Sequence, residues 1–98
     1  MEITIHPIRF DMGEKLEAFI QKKVKRFAKI HDDAAVADIT LKVIKPETNH
    51  NKEAEIKLLC PGKEFFAKEV ADTFEEAILS CVDKIERQVL KWKEKKLS

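Results

Sequence analysis

Glycine and proline are scarce in this chain, at two and three residues of 98. So few breakers argue against long disordered linkers. With only Gly13 and Gly62 available, there is no glycine-rich loop to cradle a nucleotide phosphate. No apolar run approaches the roughly 18 residues needed to span a bilayer. The opening "MEITIHPIRF" has no basic stretch followed by an apolar one, so it does not read as a secretory leader, and a cytoplasmic home is expected. There are two cysteines, Cys60 in a strand-like run and Cys81 on an apolar helix face. In a reducing compartment both read as small core residues rather than a disulfide or redox pair.

What is present fits one small domain spanning residues 1–98, with 44% hydrophobic and 38% charged residues. "EITIHPI" sets Ile3 and Ile5 against polar neighbours and reads as a short strand, which Pro7 assigns to an edge or a strand end. In "DMGEKLEAFIQKKVKRFAKIH" the period is helical, with Leu16, Phe19, Ile20, Val24, Phe27 and Ile30 at steps of three and four, and Asp11 with Glu14 offers a capping box. "VADITLKVI" alternates strictly, placing Ala37, Ile39, Leu41 and Val43 on one face. A polar loop, "KPETNHNK", follows. "EAEIKLLC" and "EFFAKEVA" are then two further strands around a Pro61-Gly62 turn, with Phe65 and Ala67 inward and Phe66 ambiguous. The last helix opens at "TFEE", where Thr73 can cap, and its stripe is Ala77, Ile78, Cys81, Val82, Ile85, Val89 and Trp92.

The order β-α-β-β-β-α, with one apolar face per strand and one per helix, predicts an α+β fold. A four-stranded sheet carries both helices on one face. Ile5, Phe19, Leu41, Ile56, Ile78 and Ile85 are expected to share its core.

The net charge is only +1, yet "DKIERQVLKWKEKK", residues 83 to 96, holds six basic residues. At about 100° per residue, Lys84, Arg87, Gln88, Lys91 and Lys95 form one stripe on a flank of the last helix. Asp83, Glu86, Lys93 and Glu94 fall on the other flank or the back. The first helix repeats the sorting: Lys15, Lys22, Arg26 and Lys29 flank its core, Lys23 lies at the edge, and Glu17 is opposite. A nearly neutral total therefore conceals separated fields. Two readings stand at this point: solvated helix faces, with lysines near a helix end complementing its dipole, or a surface for a polyanion. RNA suits the second better than DNA. There is no helix-turn-helix or zinc-finger pattern, and paired helices on a small sheet are an architecture that reads A-form RNA by shape and phosphates.

Enzyme chemistry finds little support. His6, His31 and His50 are scattered, and "HDD" at residues 31 to 33 lacks a further ligand at metal spacing, so it reads as a helix end. Cys81 belongs to the apolar stripe, and Trp92 reads as a cap on the core rather than a stacking platform. Neither a cofactor, a metal nor a small-molecule substrate is expected.

The same residues carry a resemblance. Ile3 and Ile5, then "LEAFIQKKVKRF", "ITLKV" and above all "DKIERQVLKWKEK" follow one another in an order and spacing that resembles the ribosome hibernation promoting factors. The likeness is to their short form, together with the ribosome-associated inhibitor also called protein Y, and it covers essentially the whole chain. It implies a protein that occupies the mRNA and transfer-RNA channel of the small ribosomal subunit, inhibits translation in starved or stationary cells and promotes ribosome hibernation. It further implies that Lys23, Arg26, Lys84, Arg87, Lys91 and Lys95 contact ribosomal RNA phosphates. Lys22 and Lys29 join them from the helical stripe alone.

The chain departs from the family pattern at His6-Pro7, where a small polar-Gly turn is more usual, and at Glu75, which stands where the family commonly has a Tyr. Neither the extra C-terminal dimerisation domain of the long form nor the extended tail of protein Y is expected. The competing reading is a protein–protein interaction domain whose basic helix faces are merely solvated.

Overall fold

Alternation in the three central segments becomes a sheet because each has one apolar side to bury. The structure, a computed structural model, describes every residue except Pro46, Thr48 and Ser98, with Lys96 and Leu97 described by backbone alone. Its elements are β1 (Glu2–Ile8), α1 (Glu14–Val24), α2 (Arg26–Ile30), β2 (Val36–Val43), β3 (Lys52–Cys60), β4 (Lys63–Ala71) and α3 (Phe74–Leu97). The strands lie in the order β1-β2-β3-β4. β1 pairs parallel to β2, and the remaining pairs are antiparallel. The parallel pair requires a crossover, which α1 and α2 supply. The edge position of β1 accommodates Pro7, which has no N–H to donate to a second neighbour.

Register places Ile5 beside Ile39, Ile39 beside Ile56 and Ile56 beside Ala67, an apolar row across all four strands. Ile39 and Ile56 are fully buried under the helices, as are Ala37, Leu41, Ala54 and Leu58. Ile20, Val24 and Phe27 from the first helical segment and Ile78, Cys81, Val82, Ile85 and Val89 from α3 complete one cluster. Both helical layers thus cover one face, and the α+β arrangement expected from the sequence is the one observed. On the opposite face Asp38, Thr40, Glu55, Lys57 and Phe66 line an open, polar depression. Phe66, ambiguous by alternation, is 44% exposed, while Phe65 and Ala67 are buried.

Of the six expected core residues, Leu41, Ile56, Ile78 and Ile85 are fully buried. Ile5 and Phe19 are only partly buried, packed against the cluster. Ile5 lies on an edge strand, and Phe19 lies on the flank of α1 with the Lys23 ammonium 5.6 Å from its ring centroid.

The helix expected from Asp11 to His31 is divided at Lys25. The Lys25 N–H still bonds the Gln21 carbonyl, but the Ala28 N–H bonds the Lys25 carbonyl, a tightened turn. Residues three apart eclipse in such a turn, so Val24 and Phe27 stay on one side and both are fully buried. The Asp11–Glu14 capping box does not form. Gly13 is the N-cap, extended and without a side-chain cap, so the helix begins two residues too late for Asp11 to serve. Thr73 does cap α3, its Oγ1 accepting from the Glu76 N–H at 3.1 Å. The Pro61-Gly62 turn joins β3 to β4 with Gly62 at φ +72°, a conformation open to glycine. The loop before β3 has Lys45 and His50 in the left-handed region, and its Pro46 and Thr48 lie outside the described residues.

Candidate nucleic-acid interface

α1–α2 and α3 run side by side in the same sense. Phe10 stacks on Phe74 at their start, with centroids 5.0 Å apart. At their far end the Lys93 amino group donates to the Ile30 carbonyl. Between these points Arg26 Nη2 lies 2.9 Å from Glu86 Oε1. The seam between the helices therefore uses the Glu86–Lys93 flank of α3. This corrects the sequence reading of Lys93: it does not point to the back of α3 but ties that helix to the end of α2, and it is half-buried.

The other flank of α3 overhangs β4. Gln88 donates from Nε2 to the Phe66 carbonyl at 2.8 Å and accepts from the Phe66 N–H at 3.4 Å. Lys84 Nζ lies 2.6 Å from Glu69 Oε1, which also accepts from the Ser80 hydroxyl at 2.9 Å. These two hydrogen bonds, Lys84 first, hold the Glu69 carboxyl below the usual carboxylate range. Arg87 and Lys91 are exposed and form no ion pair among the described residues. Beyond them Lys91 and Lys95 border a shallow cleft with Gln88, Phe65, Trp92 and Lys63.

The expected site residues thus fall into separate groups. Lys84, Arg87, Lys91 and Lys95 share the β4 flank. Lys23 and Arg26 sit at or beside the helix seam, the first over Phe19 and the second on Glu86. Lys22 and Lys29 line an open depression on the outer side of α1–α2, with Glu14, Glu17 and Lys25 beside them. The two basic stripes do not merge. At about 100° per residue, the outer surface of α3 between them presents Asp83, Leu90 and Glu94. Lys63 was missed. Nothing in its local sequence marks it, because only the β3–β4 hairpin brings it beside the last turns of α3.

The remaining candidates resolve as packing. Trp92 is half-buried, stacked on His31 at 5.2 Å and edge-on to Phe65 at 5.9 Å, so it closes the core. His31 is the C-cap of α2, and its Nδ1 accepts from the Asp33 N–H at 3.2 Å, which makes "HDD" a helix end. Cys81 sits beneath α3, its thiol donating toward the Ala54 carbonyl at 3.3 Å. Burial pushes that thiol up to about 12.

This fold and its sorted charge invite comparison with known proteins. The family model described as sigma 54 modulation protein / S30EA ribosomal protein matches residues 3–97. The chain belongs to this family. Its members are ribosome-associated proteins rather than enzymes. Among solved structures, a ribosomal subunit interface protein from Coxiella burnetii superposes with a TM-score of 0.85 at 21% identity, covering 96% of this chain and 99% of that one. The N-terminal domain of Thermus thermophilus Protein Y superposes with a TM-score of 0.79 at 22% identity, covering 94% and 99%. At such identities the two structures speak for the fold. No curated protein matches the chain. The family model bears out the resemblance read from the sequence to hibernation factors of the protein Y type.

Proposed function

We propose that this family member binds the small ribosomal subunit through ribosomal RNA, occupies its mRNA and transfer-RNA channel, and so inhibits translation and promotes hibernation in starved or stationary cytoplasm. The observation that carries the reading is the β4 flank of α3. There Arg87 and Lys91 stand exposed and without an ion-pair partner among the described residues, with Lys63 and Lys95 alongside. Arg87 and Lys91, without an ion pair among the described residues, keep their full attraction for phosphate, and each phosphate contact releases condensed counterions. Lys22 and Lys29 form a second, separate contact. Lys23, Arg26, Lys63 and Lys84 contribute less, because each already faces a partner inside the protein.

Sedimentation through sucrose gradients tests this. The protein should co-migrate with small subunits at low salt and leave them steeply as salt rises. Co-migration that ignores salt, or none at any salt, would remove the phosphate-binding reading and leave the solvated-helix alternative. No helix among the described residues is long and apolar enough to cross a membrane.

A further inference from the structure

β4 is a free edge of the sheet. An edge strand presents unpaired N–H and C=O groups that template the addition of another strand. In an antiparallel ladder, both backbone groups of a residue point the same way, and alternate residues point outward. The Gln88 bonds show that Phe66 is one of the outward pairs. Glu64 and Lys68, two positions to either side, expose theirs in the same direction.

The edge is also complementary to itself. An antiparallel pairing of two copies about Phe66 sets Phe66 opposite Phe66 of the second copy and Glu64 opposite its Lys68, and the reverse pair follows by symmetry. All three side chains lie on the open face, where Phe66 is 44% exposed. An aromatic pair flanked by two opposite-charge pairs is a favourable cross-strand pattern. Glu64 and Lys68 now pair within their own sheet, with Lys57 at 3.4 Å and Glu53 at 3.5 Å. The first contact joins two half-exposed groups that exchange partners at little cost, whereas in the second Lys68 is half-exposed but Glu53 is only 13% exposed, so that exchange costs more.

We propose that Gln88 is an edge guard. Its side-chain amide imitates a neighbouring strand on Phe66, the residue at the centre of that pairing, and so holds off strand addition by a second copy of this chain. The geometry gives the guard its effect: one amide donates to the carbonyl and accepts from the N–H of the same residue, leaving the central pair nothing to offer. Arg87 and Lys91, on the same flank of α3, add like-charge repulsion between copies. Salt screens this repulsion and the two Glu64–Lys68 pairs alike, so the dimer released by loss of Gln88 should depend only weakly on salt, unlike phosphate binding.

Analytical ultracentrifugation of the full chain tests this, with far-UV circular dichroism confirming that each variant is folded. The wild type should sediment as a monomer at concentrations where Gln88→Ala forms a dimer. Adding Glu64→Lys to Gln88→Ala places like charges opposite each other twice and should weaken the dimer about tenfold. Adding Lys68→Glu as well restores opposite charges and should restore the dimer. A folded Gln88→Ala that stays monomeric overturns the proposal, as does a dimer indifferent to the Glu64 and Lys68 changes. If Gln88→Ala fails to fold, Gln88→Glu decides in its place: it can accept from the Phe66 N–H but cannot donate to the carbonyl, so partial dimerisation is expected. A folded monomer there overturns the idea equally.

Discussion

On α3, Arg87 and Lys91 face solvent beside the edge of the sheet, while on α2 Arg26 lies 2.9 Å from Glu86 at the seam between helices. Both groups belong to basic stripes with the same helical spacing, and from that spacing they look equivalent. The difference comes from what each flank meets. The flank of α1–α2 that carries Arg26 is packed against α3, so its cation is used to dock one helix on the other. The flank of α3 that carries Lys91 meets the rim of β4, and there one cation, Lys84 on Glu69, and one uncharged residue, Gln88 on Phe66, make the anchoring contacts. Cations of a stripe are available to a polyanion where other residues, here Gln88 and Lys84, hold the helix in place.

The comparison breaks most readily if the α2 side is less well anchored than it looks. Phe27 is fully buried directly below the tightened turn at Lys25. Phe27→Ala should cost about 3–5 kcal/mol in urea unfolding. A cost under about 1 kcal/mol would show that α2 contributes little to the packed structure.

The next largest effect is on binding. Reversing Arg87 and Lys91 together to Glu should weaken small-subunit binding by about 3 kcal/mol, since each change replaces an attraction to phosphate with a repulsion. The urea midpoint should hardly move. Lys42 and Lys57, on the other side of the sheet, are the proper comparison, because reversing them changes the net charge equally. Lys93 would serve badly, because it ties α3 to α2. Equal losses from the two pairs would mean that total charge alone governs binding.

Smaller, and sharper for the contrast between stripes, is the pair of single truncations. Arg26→Ala leaves the Glu86 carboxylate, whose side chain is only 19% exposed, without its cation, and should destabilise the fold by about 1–3 kcal/mol. Arg87→Ala should cost less than about 0.5 kcal/mol. Glu86→Gln should recover part of the Arg26→Ala loss. Similar unfolding costs for Arg26→Ala and Arg87→Ala would erase the distinction between a docking cation and a free one.

The smallest effect lies with Lys84. The Glu69 carboxyl has a lowered folded-state pKa, so its stabilising contribution is complete above its ordinary value of 4.5 and is lost as pH falls through the lowered one. Lys84→Gln removes the main cause of that lowering. The variant should therefore lose less stability than the wild type on acidification below about pH 4.5. Because the lysine is half exposed, the difference should stay under about 1 kcal/mol. Identical acid limbs in thermal melts would show that the contact does not persist in solution.

Much of this molecule is written in local pattern. Alternation in β2 and β3, the three-and-four spacing of the helices, the Pro61-Gly62 turn and the Thr73 cap are short-range, because side-chain direction follows backbone period within a few residues. They were enough to place the inward faces and to sort cations by flank. The break at Lys25 and the loss of the Asp11 cap escaped because the balance between helix and tightened turn is settled by burying Val24 and Phe27. The location of Lys93, the neutralisation of Arg26 and Lys84, the arrival of Lys63 beside Lys91, and the Gln88 bonds to Phe66 all join residues distant in the chain. A helical period states the angle at which a side chain leaves its axis, but not what the neighbouring element offers there. The sequence by itself determined which strand and helix faces point inward and which flank of α3 carries Lys84, Arg87, Lys91 and Lys95, but not the place of Lys93. Only the tertiary structure, by bringing Glu86, Glu69 and the edge of β4 within hydrogen-bonding reach, decided which cations remained free.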